Sequence, residues 1–312
     1  MKIGVDAMGG DFAPRAVVAG AISATEHLPA GSQIVLVGRE HIIKTLLQEY
    51  NYAGTQIEVV HAEEVVEMSE HPTKAFSQKP NSSIGVGFKL LKDKQLDIFC
   101  SAGNTGAMHV GALFSIRAIE GVLRPCIAGF VPQLSGQHAV MLDIGANADC
   151  KPEVLAQFGE IGSIFARHTF GIESPRVALM NIGEEEQKGS LAAQAAYQIL
   201  KINKKINFIG NIEGSEVFTG AADVIITDGF TGNVVFKLGE SLYEIATKRG
   251  LKDGFFDKTN YEAIGGSPIV GVNGNVMIAH GKSTALAIQN MVSWAVRQVE
   301  ANAYQKIAQA FN

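Results

Sequence analysis

The side chains with the clearest chemical potential lie in short polar segments that directly follow apolar runs. In residues 100–108, Gly103 and Gly106 let a ligand approach the backbone, and Asn104 and Thr105 offer a helix cap or donors to oxygen atoms. A buried strand, a turn of small residues and a helix together aim backbone N–H groups at an anion. An ordinary capped turn between a strand and a helix explains this segment alone equally well.

Similar segments recur along the chain, which favours a site over a coincidence. Asp143 closes an apolar run, and a charge in that position is costly to bury unless it is paired or hydrogen-bonded. Three consecutive glutamates at 184–186 are also typical of a solvated helix start. The other candidates of this kind are Asn147, Glu184, Lys188, Asn211, Asp228, Gly229, Gly232, Asn233 and Lys237.

Two cations complete the set of candidate site residues. Arg124 precedes Pro125 at an expected helix exit, where a guanidinium either caps carbonyl groups or grips a phosphate. His280 begins a His-Gly-Lys-Ser segment after an apolar run, and a buried structural histidine is the competing interpretation. A P-loop requires glycine where this chain has Val276, so the segment does not indicate ATP binding.

The chemistry that these residue types favour is the binding and positioning of an anion. The sequence contains no HExxH or GxSxG motif, no cysteine beside a base and no metal-ligand spacing, so we expect no metal and no cofactor. Backbone N–H groups, asparagines and a few cations suit the stabilisation of a developing oxyanion. Direct transfer to bound phosphate fits, because phosphate is already a nucleophilic anion.

The elements that must position these residues follow a strand–helix rhythm. Apolar runs predict strands at 3–6, 34–37, 57–60, 98–101, 127–131, 139–143, 177–181, 206–209, 224–227 and 276–279. Helical spacing between them predicts an α/β fold with a large, mainly parallel, doubly wound sheet and helices on both faces. Ligands of such sheets bind outside the carboxyl ends of the strands. We expect one two-lobed catalytic unit over 1–312.

Composition limits the class of protein. The chain has 312 residues, 46% of them hydrophobic and 18% charged, and a formal net charge of −5, which argues against a nucleic-acid partner. No apolar run is long enough to span a membrane, and the first residues read as a strand, not as a signal peptide. Cys100, Cys126 and Cys150 lie in or beside apolar segments, as buried reduced thiols of a cytoplasmic protein do.

The order of the motifs resembles a known family. The segments VDAMGGDFAP, SAGNTGA, RP, LDIGAN, QFGEIG, NIGEEEQKG, DGFTGN and HGKS look like those of the phosphate acyltransferase of bacterial phospholipid synthesis, the PlsX family. The resemblance implies a fold akin to isopropylmalate dehydrogenase and phosphate acetyltransferase, and a homodimer. It implies transfer of a long-chain acyl group from acyl carrier protein to inorganic phosphate. The acyl phosphate would pass to a membrane-bound glycerol-3-phosphate acyltransferase.

On this hypothesis, residues 103–106 with Lys188 hold the phosphate. Asp228, Asn233 and Lys237 orient the thioester or stabilise its oxyanion, and His280 protonates the departing thiolate. The span 239–265 predicts a short protruding helical arm, shorter than is common in the family, whose cations suit an acidic carrier protein. The expected location is cytoplasmic or peripheral at the inner face of the membrane.

Two other functions compete with this one. A phosphate acetyl- or butyryltransferase that uses coenzyme A shares the fold and the chemistry, and the preferred thiol donor separates the two. A non-catalytic scaffold for membrane lipid enzymes would keep its recruitment when Asn104 and Asn233 are replaced.

Overall fold

A computed structural model describes residues 1–311 of the chain. Within them, the strands are β1 (Lys2–Asp6), β2 (Gln33–Gly38), β3 (Ile57–His61), β4 (Ile98–Ser101), β5 (Cys126–Pro132), β6 (His138–Leu142), β7 (Arg176–Met180), β8 (Asn207–Ile212), β9 (Val224–Ile226), β10 (Ser267–Val270) and β11 (Asn275–Ile278).

The same residues contain the helices that connect these strands. They are α1 (Arg15–Thr25), α2 (Glu40–Glu49), α3 (Pro72–Gln78), α4 (Ser83–Lys92), α5 (Thr105–Gly111), α6 (Pro152–Phe170), α7 (Leu191–Ile202), α8 (Gly229–Lys248), α9 (Gly254–Thr259), α10 (Tyr261–Ile264), α11 (Ala285–Ala301) and α12 (Ala303–Phe311). A π-helical turn, Ala112–Ile116, continues α5. No helix within residues 1–311 combines the length and apolarity that a membrane crossing requires.

The chain divides into two compact units. Unit 1 comprises Met1–Ala118 and Tyr261–Glu300, and unit 2 comprises Ile119–Asn260 with the residues from Ala301 onward. In unit 1 the strand order is β3-β2-β1-β4-β11-β10, parallel except for the antiparallel pairing of β10 with β11. In unit 2 the order is β5-β6-β9-β7-β8, parallel except for β5 against β6. The predicted mainly parallel α/β fold is confirmed.

Local sequence explains where the helices begin and end. Ser82 caps α4 by accepting the backbone N–H of Gly85 at 3.1 Å. Pro152 opens α6 at its first position, and Gly171 closes it with a φ of 71°, a left-handed conformation that glycine adopts without strain. Residues at the helix ends therefore set these boundaries.

Aromatic side chains fill the core of each unit. In unit 1, Phe88 of α4 packs edge-on against Phe99 of β4 with ring centres 5.3 Å apart. In unit 2, Phe130 of β5 stacks on Phe165 of α6 at 6.2 Å.

The three cysteines, Cys100, Cys126 and Cys150, are buried free thiols, as the sequence predicted. Burial raises the pKa of Cys150 to about 11.

Three local features of the structure were not predicted from the sequence. The first is strand β10, and the second is helix α3, which lies between β3 and α4. The third is a break near the C-terminus, where Asn302 adopts a φ of 53° and separates α11 from α12.

Candidate active site

The loops that follow β1, β4 and β11 meet at one edge of the unit 1 sheet, because these strands are parallel neighbours. Asp6 ends β1 and Ser101 ends β4, and the Ser101 hydroxyl donates to Asp6 Oδ2 at 2.7 Å. Ser101 Oγ also accepts the backbone N–H of Gly103 at 2.9 Å. Burial raises the pKa of Asp6, and hydrogen bonds led by that from Ser101 partly offset this.

The Asn104 side chain is fully engaged in holding its own loop. Its Oδ1 accepts the backbone N–H of Ala107 at 2.9 Å and so caps α5. Its Nδ2 donates to the carbonyl oxygens of Glu67, Met68 and Glu70 at 3.0–3.2 Å. The predicted cap is therefore present, and the Asn104 side chain fixes the backbone of its own loop.

The two residues that follow Asn104 differ in exposure. Thr105 is exposed, whereas Gly106 is half-buried and a Cβ there would overlap the Pro72 ring. Glycine at 106 thus permits the close approach of α3 to α5, and Thr105 is the polar side chain that faces solvent.

His280 lies in the loop after β11, next to the loop after β4. It is exposed, and its ring lies 5.3 Å from the ring of Tyr261. Its Nδ1 accepts the backbone N–H of Lys282 at 3.2 Å, which places the ring proton of the neutral histidine on Nε2. In this form the ring offers a hydrogen-bond donor at Nε2.

In unit 2, Asp143 has the partners that its burial requires. Its Oδ1 accepts backbone N–H groups of Ile127, Gly145 and Ala146 at 3.0–3.1 Å. Its Oδ2 accepts the backbone N–H and the side-chain amide of Asn147 at 2.6 and 2.9 Å. The carboxylate thus organises the loop that follows β6.

The N-terminus of α8 packs on this loop. Asp228 caps α8 by accepting the backbone N–H of Thr231 at 2.8 Å, and the Gly229 N–H donates to the Asn147 carbonyl at 2.7 Å. A Cβ at Gly229 would lie 2.8 Å from Asp143 Oδ2. A Cβ at Gly232 would overlap the Asp143 carbonyl oxygen. Only glycines fit at these two positions.

Asn233 joins the same cluster from the next turn of α8. Its Nδ2 donates to the carbonyl of Ile144 at 3.0 Å. The structure therefore brings together six of the residues predicted from the sequence, which are Asp143, Asn147, Asp228, Gly229, Gly232 and Asn233.

Further along α8, Lys237 is exposed and accompanies an acid that the sequence analysis missed. Burial raises the pKa of Glu240 to about 7, and the Lys237 charge opposes that rise. A pKa near neutrality is typical of functional carboxylates, although structural burial produces it too. No local motif distinguishes Glu240 in the sequence.

Glu184, Lys188 and Asn211 form a second cluster in unit 2, after β7 and β8. Asn211 Nδ2 donates to the carbonyl oxygens of Glu184 and Glu185 at 3.4 and 3.0 Å. Lys188 is exposed and lies 3.9 Å from the Glu185 carboxylate. Among residues 1–311, hydrogen bonds tie this cluster to its own loops and not to Asp143 or Asp228.

Arg124 is exposed and follows no helix directly, so the expected helix exit is absent there. The neighbouring Pro125 carbonyl accepts the Asn147 side-chain amide at 2.9 Å, which places Arg124 beside the Asp143 loop. Within residues 1–311, no group of three or more His, Cys, Asp or Glu side chains is arranged to hold a metal ion.

Comparison with known proteins places this chain in a family. A family model described as "Fatty acid synthesis protein" matches residues 1–248. The phosphate acyltransferase of Dictyoglomus turgidum is 44% identical over 331 residues, covering 100% of this chain and 98% of that protein. The phosphate acyltransferase of Pelotomaculum thermopropionicum is 44% identical over 319 residues, covering 96% and 92%.

Solved structures share the fold at much lower identity. The EutD phosphotransacetylase from Staphylococcus aureus matches with a TM-score of 0.66 and 17% identity, over 96% of this chain and 94% of that one. A branched-chain phosphotransacylase from Enterococcus faecalis matches with a TM-score of 0.66 and 15% identity, over 96% and 99%. At this identity the likeness concerns the fold alone.

Proposed function

This chain belongs to the phosphate acyltransferase family, and we propose that it transfers a long-chain fatty acyl group from acyl carrier protein to inorganic phosphate. Family membership makes the chain an acyltransferase. The hydrogen bonding of the loops after the parallel strands supports phosphate as the acyl acceptor. Asp6 and Asp143 accept N–H and O–H donors, and the Ser101 hydroxyl that donates to Asp6 is buried, out of reach of a substrate thioester.

The proposed reaction needs no covalent enzyme intermediate. A phosphate oxygen attacks the thioester carbonyl, the carbonyl becomes a tetrahedral oxyanion, and its collapse breaks the C–S bond. The acyl carbon is then bonded to a phosphate oxygen in place of sulfur, and the departing thiolate takes a proton. His280 is the proposed donor of that proton: its imidazolium form gives the proton from Nε2, and solvent reprotonates the neutral ring before the next turnover.

We assign the other roles by unit. In unit 1, the backbone of residues 103–106 and the Thr105 hydroxyl serve phosphate. For the unit 2 residues we keep the roles that the family resemblance implies: Asp228, Asn233 and Lys237 orient the thioester or stabilise its oxyanion, and Lys188 is a candidate cation for phosphate. Supporting residues are Arg124, Asp143, Asn147, Glu184, Asn211, Gly229 and Gly232.

Surface charge supports an acidic protein as the acyl donor. Lys248, Arg249, Lys252 and Lys258 are exposed between the end of α8 and the last turn of α9, interspersed with the exposed acids Glu244, Asp253 and Asp257. The four cations offer an acidic partner charged contacts on a protein whose net charge is −5.

The deciding experiment measures release of free carrier-protein thiol from palmitoyl-acyl carrier protein, with and without inorganic phosphate. We expect release that depends on phosphate and a product that hydroxylamine traps as the hydroxamate. Hydrolysis at the same rate without phosphate would contradict the proposal.

Coenzyme A is the second candidate donor, because the solved structures that share the fold are named phosphotransacetylases and a phosphotransacylase. Release from acyl-coenzyme A but not from acyl carrier protein would select it. No release from either donor would favour the scaffold function, which predicts membrane recruitment that survives replacement of Asn233.

An exposed apolar stripe on α8 supports a partner surface. Phe230, Val234, Leu238 and Ile245 recur at helical spacing and are between 52% and 67% exposed. We propose a homodimer in the cytoplasm that passes acyl phosphate to a membrane-bound glycerol-3-phosphate acyltransferase. Sedimentation of the wild type and of Leu238→Glu tests the dimer, and flotation with anionic vesicles tests peripheral membrane association.

A further inference from the structure

Asp6 and Ser101 lie side by side although 95 positions separate them in the chain. Strands β1 and β4 pair in parallel with Val5 opposite Cys100, so the next residue of each strand falls at the same carboxyl edge. Asp6 is 1% exposed and Ser101 is 0% exposed. This buried pair sits beneath the loops that carry the unit 1 candidates.

The pair fixes the loops after β1 and β4. Asp6 Oδ1 accepts the backbone N–H of Met8 at 3.0 Å, and its Oδ2 accepts the Ser101 hydroxyl proton at 2.7 Å. Ser101 Oγ then accepts the Gly103 N–H at 2.9 Å. A chain of hydrogen bonds therefore runs from Asp6 through Ser101 to the backbone of the second loop.

Close packing joins the loops further. A Cβ at Gly9 would lie 2.7 Å from the Gly103 nitrogen and 2.8 Å from Ser101 Oγ. The loop after β11 joins them, since the Ala279 N–H donates to the Ser101 carbonyl and the Asp11 N–H to the Gly281 carbonyl, at 2.9 and 2.8 Å. A shift of the pair would move all three loops.

A tie between two loops does not require a buried carboxyl group such as that of Asp6. The hydrogen bonds that favour its charged form come from neutral groups, which are the Ser101 and Ser83 hydroxyls and the Met8 and Gly9 N–H groups. A buried carboxylate without a cationic partner costs free energy. Such costs are concentrated at functional sites.

We propose that Asp6, acting through Ser101, is a positioning residue for acyl transfer. It holds the backbone of Gly9 and Gly103 in the arrangement that the reacting phosphate meets. The inference rests on the proposed function, which places phosphate at these loops.

The test is a double-mutant cycle of Asp6→Asn and Ser101→Ala, with kcat and both KM values measured by phosphate-dependent thiol release. Misplacement by about 1 Å lowers rates by about 100-fold, so we expect each single variant to lose about 10- to 100-fold in kcat. The KM for the acyl donor stays within about twofold. The double variant loses about as much as the worse single variant, because both act through one chain of hydrogen bonds.

Asp97→Asn is the matched control. Asp97 precedes β4 and accepts the Lys2 N–H of β1 at 2.7 Å, so it ties the same two strands at their opposite ends. Its replacement removes the charge of an exposed carboxylate, while the amide oxygen of asparagine still accepts the Lys2 N–H, and leaves kcat within about twofold of the wild type. Equal losses of kcat in the Asp6 and Asp97 variants would mean a purely structural tie.

Amide hydrogen exchange separates this inference from the proposed function. Exchange at Gly103 accelerates in Asp6→Asn and in Ser101→Ala if the pair holds that loop, whether or not the wild type turns over. Wild-type enzyme without phosphate-dependent release refutes the proposed function. Active variants with kcat within about twofold of wild type, or additive losses in the cycle, refute the role of Asp6. If Asp6→Asn does not fold, Ser101→Ala decides alone through its kcat and its amide exchange at Gly103.

Discussion

Replacing Asp143 with asparagine tests whether that carboxylate holds the unit 2 site together. Its Oδ1 accepts three backbone N–H groups and its Oδ2 accepts two donors of Asn147. If the amide oxygen of the new asparagine takes the place of Asp143 Oδ1, its NH₂ group points at the two Asn147 donors. If the amide is flipped, its NH₂ group points at the three backbone N–H groups instead. At least two buried hydrogen bonds are lost in either case.

The magnitude follows from those lost bonds. A buried donor left without its acceptor costs about 1–3 kcal/mol, so two cost about 2–6 kcal/mol. Domains of this kind are stable by about 5–15 kcal/mol in total, which makes the loss large but compatible with folding. Asp143→Ala, which leaves five donors without acceptors, is expected to prevent folding of unit 2.

Urea unfolding followed by far-ultraviolet circular dichroism measures the effect. Asp149→Asn is the matched control, since Asp149 is exposed in the same loop and its variant should unfold within about 0.5 kcal/mol of the wild type. A loss below about 0.5 kcal/mol in Asp143→Asn would refute the reasoning, because the five hydrogen bonds would then contribute nothing measurable.

Three other predictions concern α8. Burial raises the pKa of Glu240 from 4.5 to about 7, so the wild type loses up to about 3 kcal/mol of its free energy of unfolding as pH rises from about 4.5 through about 7. Glu240→Gln removes that loss, and equal pH profiles of urea midpoints in the two proteins would contradict it. Asn233→Ala loses the bond to Ile144 and should lower kcat about tenfold or more without unfolding the protein, as circular dichroism beside the thiol assay would show. Gly232→Ala drives a Cβ into the Asp143 carbonyl and should lower stability by about 1–3 kcal/mol, whereas Gly254→Ala, with open space around its Cβ, should not.

The sequence was most informative where local signals agree with the tertiary structure. Apolar runs located the parallel strands, and Asp143 was expected to need partners, because a charge that ends a buried run leaves no other stable arrangement. Asn104 was expected to cap a helix and does so. These inferences depend on a few consecutive residues, and such patterns survive folding.

Features that depend on distant residues were not predictable. Strand β10 contains Pro268 and follows two glycines, a local pattern of a turn, yet pairing with β11 makes it a strand. The break at Asn302 has no glycine or proline to mark it. The contact between Asp6 and Ser101 exists only because β1 and β4 become neighbours, and no spacing in the sequence encodes that.

The carboxylates of Asp6 and Asp143, which follow or end a buried strand, make the same local hydrogen bond but have different structural roles. Asp6 and Asp143 each accept the N–H two residues further along, at 3.0 and 3.1 Å, which turns the chain sharply after the strand. The other hydrogen bonds of the Asp143 carboxylate come from its own loop and from β5, so five donors in total stabilise its charge. Asp6 instead directs its second oxygen to the end of a neighbouring strand, where Ser101 passes the constraint to Gly103. A carboxylate that ties one loop contributes mainly to stability, whereas one that sets the relative position of several loops contributes to the geometry that catalysis needs.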